Sequence, residues 1–361
     1  MRSAAGPAGN RGIGPVVPPP GEQLWGVDAS APDNVWAVGS RTTSENFADQ
    51  SLVERWDGQA WTIVNCPDVG MLRHVAVVSP DDVWMTASQT LLHWNGQTCQ
   101  EVPIPNGAQE IPLSDIATTG PDDVWVVGEQ TGRMYEKNTV GWNTMVAHYD
   151  GTSWSVMATP NRAIEVDYLE GVVAQSPTDV WAAGYSQDVH GIPLTLLLHY
   201  DGKSWRIVPS PNPGDDYNVL WGIGTDGAGG VWGIGHYGDH GGHTTALFLR
   251  WTGTAWERVD PTPDPHWSVT GLSGSSAQDV WAVGSEPTGS FAVAHFDDTR
   301  WSSVDAPGSS GPYENWLYDV VTLSASDAWA VGVQNFGPDP HAVLIEHWDG
   351  SSWSVVPAPR R

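Results

Sequence analysis

Cysteine is scarce in this chain, at two in 361 residues, and phenylalanine nearly so, at five. Two cysteines cannot build a disulfide-rich scaffold or a four-cysteine zinc site. Charged residues make up only 16% of the chain, against ~25% in an ordinary domain. The shortage is of bases: 15 Lys and Arg stand against 42 Asp and Glu, a net charge of −27. Nucleic acids and anionic membrane surfaces attract clustered Lys and Arg, so the expected partners include neither. No run of ~18 apolar residues is present to cross a membrane. The opening stretch MRSAAGPAGNRGIGPVVPPP has no apolar signal segment. The expected compartment is the cytoplasm if Met1 is the native start, and the cell exterior if a leader was removed. Walker, Rossmann, G-x-S-x-G and H-E-x-x-H signatures are also missing.

Tryptophan is abundant, with 22 copies, and 41 Gly with 28 Pro announce many turns. The Trp residues fall in an internal repeat. The segments NVWAVGS (34–40), DVWMTAS (82–88), DVWVVGE (123–129), DVWAAGY (179–185), GVWGIGH (230–236), DVWAVGS (279–285) and DAWAVGV (327–333) recur at intervals of 41 to 56 residues. Each is followed by a second signature, such as ERWDGQAW (54–61) or EHWDGSSW (346–353). One unit reads as four short strands, A to D. An Asp-rich turn joins A to B, and a D-G hairpin turn joins C to D. Seven such units predict an all-β fold, a seven-bladed β-propeller of four-stranded antiparallel blades.

The repeat resembles the propeller superfamily of kelch, WD-repeat and Asp-box proteins, and is most similar to VWAVG…HWDG-SW repeat proteins of actinobacteria. The resemblance covers residues 22–361 and implies a fold rather than an activity. Residues 1–13 are expected to be disordered and 14–361 to form one domain, a monomer. Residues 14–18 (GPVVP) echo SVVPAP near the C-terminus. They read as an added outer strand beside blade 7 or the remnant of a preceding repeat.

Cys99 replaces the Trp that starts strand D in the other six repeats, and Cys66 lies five residues past Trp61 in repeat 1. Five strand steps span ~17 Å, and a disulfide needs Cα atoms within ~7 Å. Two free thiols are expected, with Cys99 buried.

Subtracting the repeat isolates candidate functional groups. His93, His148, His199, His295 and His347 precede the strand-C aromatic, where Arg55 and Arg250 stand in the other repeats, and are assigned to the scaffold. The remaining imidazoles, His74, His190, His236, His240, His243, His266 and His341, all map to the upper face. Eleven residues before the strand-B Trp stand Trp25, Arg73, Ser114, Glu170, Trp221, Thr270 and Tyr318. Ten before it stand Gly26, His74, Asp115, Gly171, Gly222, Gly271 and Asp319. Both positions lie at the entry of the innermost strand, at the mouth of the central channel.

Three functions compete for this mouth. In an acid–base enzyme on a polar small molecule or oligosaccharide, of lyase, isomerase, cyclase or hydrolase type, His74 is the base between Asp115 and Asp319. Tyr318 or Glu170 supplies the proton, and Arg73 holds developing charge. Trp25, Trp221, Glu129, Tyr185 and His266 then bind the ligand. In a metal site, His236, His240 and His243, with Asp239 beside them, hold Zn or Mn. No other cofactor is expected. In a non-catalytic carbohydrate- or protein-binding scaffold, the same indoles stack on the partner.

Overall fold

The computed structural model describes residues 21–42, 49–104, 112–134, 140–162, 166–187, 190–260, 265–286, 291–307, 315–334 and 342–359. Residues 1–20, including the GPVVP echo and the expected disordered segment, lie outside the described residues, as does His341. Among the described residues there are 28 strands and no helix. They form seven four-stranded antiparallel sheets, each from consecutive strands. In the first, β1 (Gly21–Ala31), β2 (Asn34–Thr42), β3 (Asp49–Trp56) and β4 (Trp61–Ile63) run from the inside outward. The innermost strands of the next six blades are β5 (Leu72–Ser79), β9 (Leu113–Gly120), β13 (Asp167–Ser176), β17 (Tyr217–Thr225), β21 (Ser268–Ser276) and β25 (Trp316–Ser324). The chain is thus a seven-bladed β-propeller.

Strand B is apolar on both sides because a blade packs against each face of it. In β2, five of the seven residues Asn34–Ser40 are apolar or Gly, and all seven are buried. Four of the C→D turns rest on Asp-Gly pairs, with Asn95-Gly96 in blade 2 and Thr252-Gly253 in blade 5. Asp57 accepts hydrogen bonds from the Gln59 and Ala60 amides, and Gly58 takes a φ of 91°. Blade 6 reads Asp-Asp instead, and its Asp298 is the one non-glycine residue with positive φ among the described residues, at 71°.

The five scaffold histidines pair within their own blades. Each Nε2–H meets the carboxylate of its A→B turn, from 2.7 Å in His93–Asp82 to 2.9 Å in His347–Asp327. Each ring also lies against its strand-B Trp. Where Arg replaces His, the guanidinium covers the same indole, with Arg55 5.3 Å from Trp36 and Arg250 5.2 Å from Trp232. Blade 7 closes on blade 1 through packing of Leu24, Leu52 and Trp61 against Trp329, Val331 and Ile345. The chain segment after the last strand adds Val356 and Ala358 to that cluster.

The free-thiol expectation is overturned. Cys66 and Cys99 form a disulfide, with Cα atoms 5.0 Å apart. The distance along one strand was the wrong measure. The strand ends at Ile63, and Val64, Cys66 and Val69 pack beside Cys99 and Trp94 of blade 2. Cys66 therefore meets the strand-D slot of the next blade. Cys99 is half-buried rather than buried.

Candidate functional site

Every blade carries the same irregularity at its rim. The register between the inner strand and strand B skips one residue: Trp25, Arg73, Ser114, Glu170, Trp221, Thr270 or Tyr318. These are β-bulges, which bend a strand and re-aim a side chain. The repeat's own glycine makes room for them in six blades. A Cβ on Gly39 would stand 1.9 Å from the Gln23 carbonyl oxygen, and one on Gly184 2.1 Å from that of Tyr168. The bulge turns all seven skipped side chains into the cavities at the mouth.

The mouth has two halves. One cavity, about 470 Å³, is lined by Glu129, Tyr168, Glu170, Tyr185 and Ser88. The other, about 300 Å³, is lined by Trp25, Tyr318, His236 and Thr270. Arg73, His74 and Trp221 line both. In the aromatic half Trp25 stacks on Tyr318, with centroids 4.1 Å apart. Trp221 is 45% exposed. Its Nε1–H donates to His236 Nδ1 at 3.1 Å, and Tyr185 sits edge-on to it at 5.7 Å.

Below the mouth a channel cavity of about 400 Å³ is lined by Asp28, His74, Asp115 and Asp319, among others. His74 Nδ1 lies 3.1 Å from Asp115 Oδ1, and about a third of its side chain, 36%, is open to the channel. The two carboxylates expected to tune His74 have structural work. Asp115 accepts from the Val172 amide of blade 4 and from its own neighbour Ile116. Asp319 likewise accepts from Val27 of blade 1 and from Val320. Asp28 holds the Val77 amide of blade 2. Each carboxylate thereby ties its blade to the next.

Enclosure sets the protonation of the site. Burial pushes Asp115 up to about 7 against its amide bonds. It does the same to Asp319, against its bonds from the Val27 and Val320 amides. Burial pushes His74 down to about 4, despite the attraction of Asp319. In the acidic half, burial and then repulsion from Glu170 raise Glu129 to about 7. Burial also raises Glu170, which Arg73 counteracts. Burial lifts the Tyr185 and Tyr318 phenols well above the ordinary tyrosine range.

Of the other candidates, His266, His240 and His243 are not among the residues lining this opening, whereas His236 is. His266 Nδ1 bonds the Thr244 carbonyl. His240 faces Asp216 at 3.6 Å, and His243 faces Asp239 at 3.0 Å, both on the exposed surface. His236 is turned to Trp221 and, through Nε2 at 3.4 Å, to Ser268. Among the described residues no three His, Cys, Asp or Glu side chains gather to hold a metal, so the HYGDHGGH loop does not assemble the ligand set expected of it. Sequence reasoning missed Tyr168 and Ser268. Both stand thirteen residues before the strand-B Trp, where Gln23, Met71, Pro112, Val219 and Trp316 complete a varied set. That variation beside a uniformly apolar position was the available signal.

No protein-family model matches the chain, and no curated protein matches it. Solved structures do match. YCF48 bound to D1 peptide shares 13% identity at a TM-score of 0.56, over 87% of this chain and 92% of that one. The β-propeller domain of the Trilobed protease from Pyrococcus furiosus, which has an open velcro topology, shares 9% at 0.59, over 92% and 95%. The GH74 xyloglucanase from Xanthomonas campestris shares 13% at 0.55, over 90% of this chain and 54% of that one. At such identities the likeness is one of fold, and the fold it names is the β-propeller.

Proposed function

We propose that the mouth binds a saccharide and that Glu129 and Glu170 are its acid–base pair. The observation that carries this reading is Trp221, an exposed indole standing between two pockets. An indole face stacks on the apolar face of a sugar ring. Arg73, Ser88, Tyr168, Tyr185 and the two glutamates surround it with donors and acceptors for hydroxyl groups. A purely cationic ligand would meet Arg73, and a purely anionic one would meet both glutamates.

Glu129, raised to about 7, holds a proton near neutral pH. Glu170 lies in the field of Arg73, which favours its charged form. Two carboxyl groups with diverging environments suit one as proton donor and the other as acceptor. Hydrolysis or elimination at a glycosidic bond is the chemistry such a pair serves. His74, left a weak base by the burial that lowers it to about 4, then orients rather than abstracts.

A second reading, a binding platform without turnover, is favoured by one observation. Asp115 and Asp319, on which base chemistry at His74 depended, are taken up by inter-blade amides. Titration calorimetry with soluble oligosaccharides, paired with a reducing-end assay, separates the readings. Trp221→Ala is expected to weaken binding about tenfold, equal to about 1.4 kcal/mol. Glu129→Gln and Glu170→Gln are expected to keep affinity and abolish product. Binding without product in the parent protein selects the platform. Absence of any saccharide binding, or indifference to Trp221→Ala, rejects both.

A further inference from the structure

Trp221 is the skipped residue of a bulge and nearly half exposed. Such an indole should be loose, because little packs over its face. Yet it is held at two points. Its Nε1–H donates to His236 Nδ1 at 3.1 Å, and Tyr185 abuts it at 70°. His236 itself is only 8% exposed. Its Nε2 lies 3.4 Å from Ser268 Oγ, and burial lowers its pKa, which keeps the ring neutral. A neutral imidazole that accepts at Nδ1 must carry its proton on Nε2. The tautomer that Trp221 requires is thus the one that Ser268 can receive.

The consequence concerns shape. The fixed indole stands between cavities of about 470 and 300 Å³. A ligand confined to one side leaves the other half of the mouth unused. Resting on the saccharide reading above, we infer that His236 is a positioning residue, locking Trp221 as a partition between two subsites, so that the ligand is a chain of at least two sugar units.

Two polar replacements separate positioning from bulk. The Oδ1 of His236→Asn lies where Nδ1 accepts, and keeps the bond to Trp221. The amide nitrogen of His236→Gln lies where Nε2–H stands, keeps Ser268 and deserts the indole. Indole ¹⁵N–¹H spectra need no ligand. The Trp221 signal, assigned by its loss in Trp221→Phe, is expected to exchange slowly in the parent and in His236→Asn. In His236→Gln it should exchange about tenfold faster, the loss of about 1.4 kcal/mol of protection. Calorimetry with glucose, cellobiose and cellotetraose, and with the xylose and mannose series, reads the second half. The chain is expected to bind about tenfold tighter than its monomer in the parent and in His236→Asn, and about equally in His236→Gln. Equal exchange in both variants, or a length preference that survives His236→Gln, overturns the inference. If no sugar binds the parent, the functional reading fails, while the exchange data still decide whether His236 holds the indole.

Discussion

Six of the blade interfaces are closed by one indole set edge-on against another, and the interface between blades 1 and 2 is closed by sulfur. In the six, the strand-D Trp of one blade meets the strand-B Trp of the preceding blade at interplanar angles from 77° to 87°. At the remaining interface the strand-D slot holds Cys99. Trp36 is left with the tilted ring of Trp94 and the guanidinium of Arg55. The segment carrying Val64, Cys66 and Val69 packs into the same cluster, and the disulfide ties it there. The difference shows what the slot does. It supplies volume and a fixed contact between blades, and a covalent bond plus borrowed chain can stand in for an indole.

Removing a ring from an intact interface should cost most. Trp281→Ala deletes a side chain that is 1% exposed and packed against Trp348 and Trp353. About 3–5 kcal/mol of stability is expected to disappear in urea unfolding. Trp36→Ala should cost about 1 kcal/mol less, for want of the edge-on partner. Equal losses would mean that indole pairing is not what the six interfaces share.

Breaking the sulfur link comes next. The cysteines are 33 residues apart, and a loop of that size is worth about 3–4 kcal/mol in the chain-entropy account. Cys66→Ala is expected to lose most of this, as is reduction. Adding Cys99→Trp to Cys66→Ala restores the repeat residue and should recover about 1 kcal/mol. A melt that ignores reductant removes the disulfide from the closure of the ring.

A smaller effect probes a third kind of departure. Glu346 sits on strand C where five other blades carry Leu92, Ala147, Leu198, Leu249 and Ala294. It is fully buried, and neither carboxyl oxygen has a hydrogen-bond partner among the described residues. Burial pushes it from 4.5 to about 8. Between those values the folded chain keeps a proton that the unfolded chain gives up, so rising pH favours unfolding until about pH 8. Glu346→Leu is expected to stabilise by about 2 kcal/mol at pH 8. The gain should shrink towards pH 4.5, where the carboxyl is protonated in both states. A gain that does not vary with pH contradicts the assigned ionisation.

These departures also mark where the sequence stops being legible. Blade number, strand order and the scaffold role of His93 and its four counterparts follow from local periodicity and turn chemistry, which recur within one unit. The seven skipped residues could be placed at the mouth by counting from Trp36 and its equivalents. What lies between blades could not be counted. Cys66 and Cys99 belong to different units, and so do Asp115 and the Val172 amide it binds. In the sequence Asp115 and Asp319 look as available as Glu170. Only the inter-blade register shows that an amide of the next blade has claimed the first two.

The smallest expected effect bears on that register. In blade 4 the inner strand reaches past Leu169 to Asp167, and Gly184 opposite admits the Tyr168 carbonyl. In blade 2 the inner strand begins at Leu72, and the residue opposite is Ala87. The glycine is therefore required where the residue above the bulge turns its carbonyl onto strand B, as Tyr168 does in blade 4 and Pro112 does in blade 3. Gly184→Ala forces a Cβ to within 2.1 Å of that carbonyl oxygen and 2.9 Å of the Leu169 Cα. Both atoms are backbone, so the strand must move, at about 1–2 kcal/mol. The displacement falls on Tyr168 and Glu170, so any affinity at the mouth should drop with it. Ala87→Gly has no such contact to relieve and should stay within about 0.5–1 kcal/mol of the parent, through backbone entropy alone. Urea unfolding of the two variants side by side measures the contrast. A Gly184→Ala protein as stable as Ala87→Gly would show that the bulge, and the aim of the rim side chains with it, does not depend on the repeat's glycine.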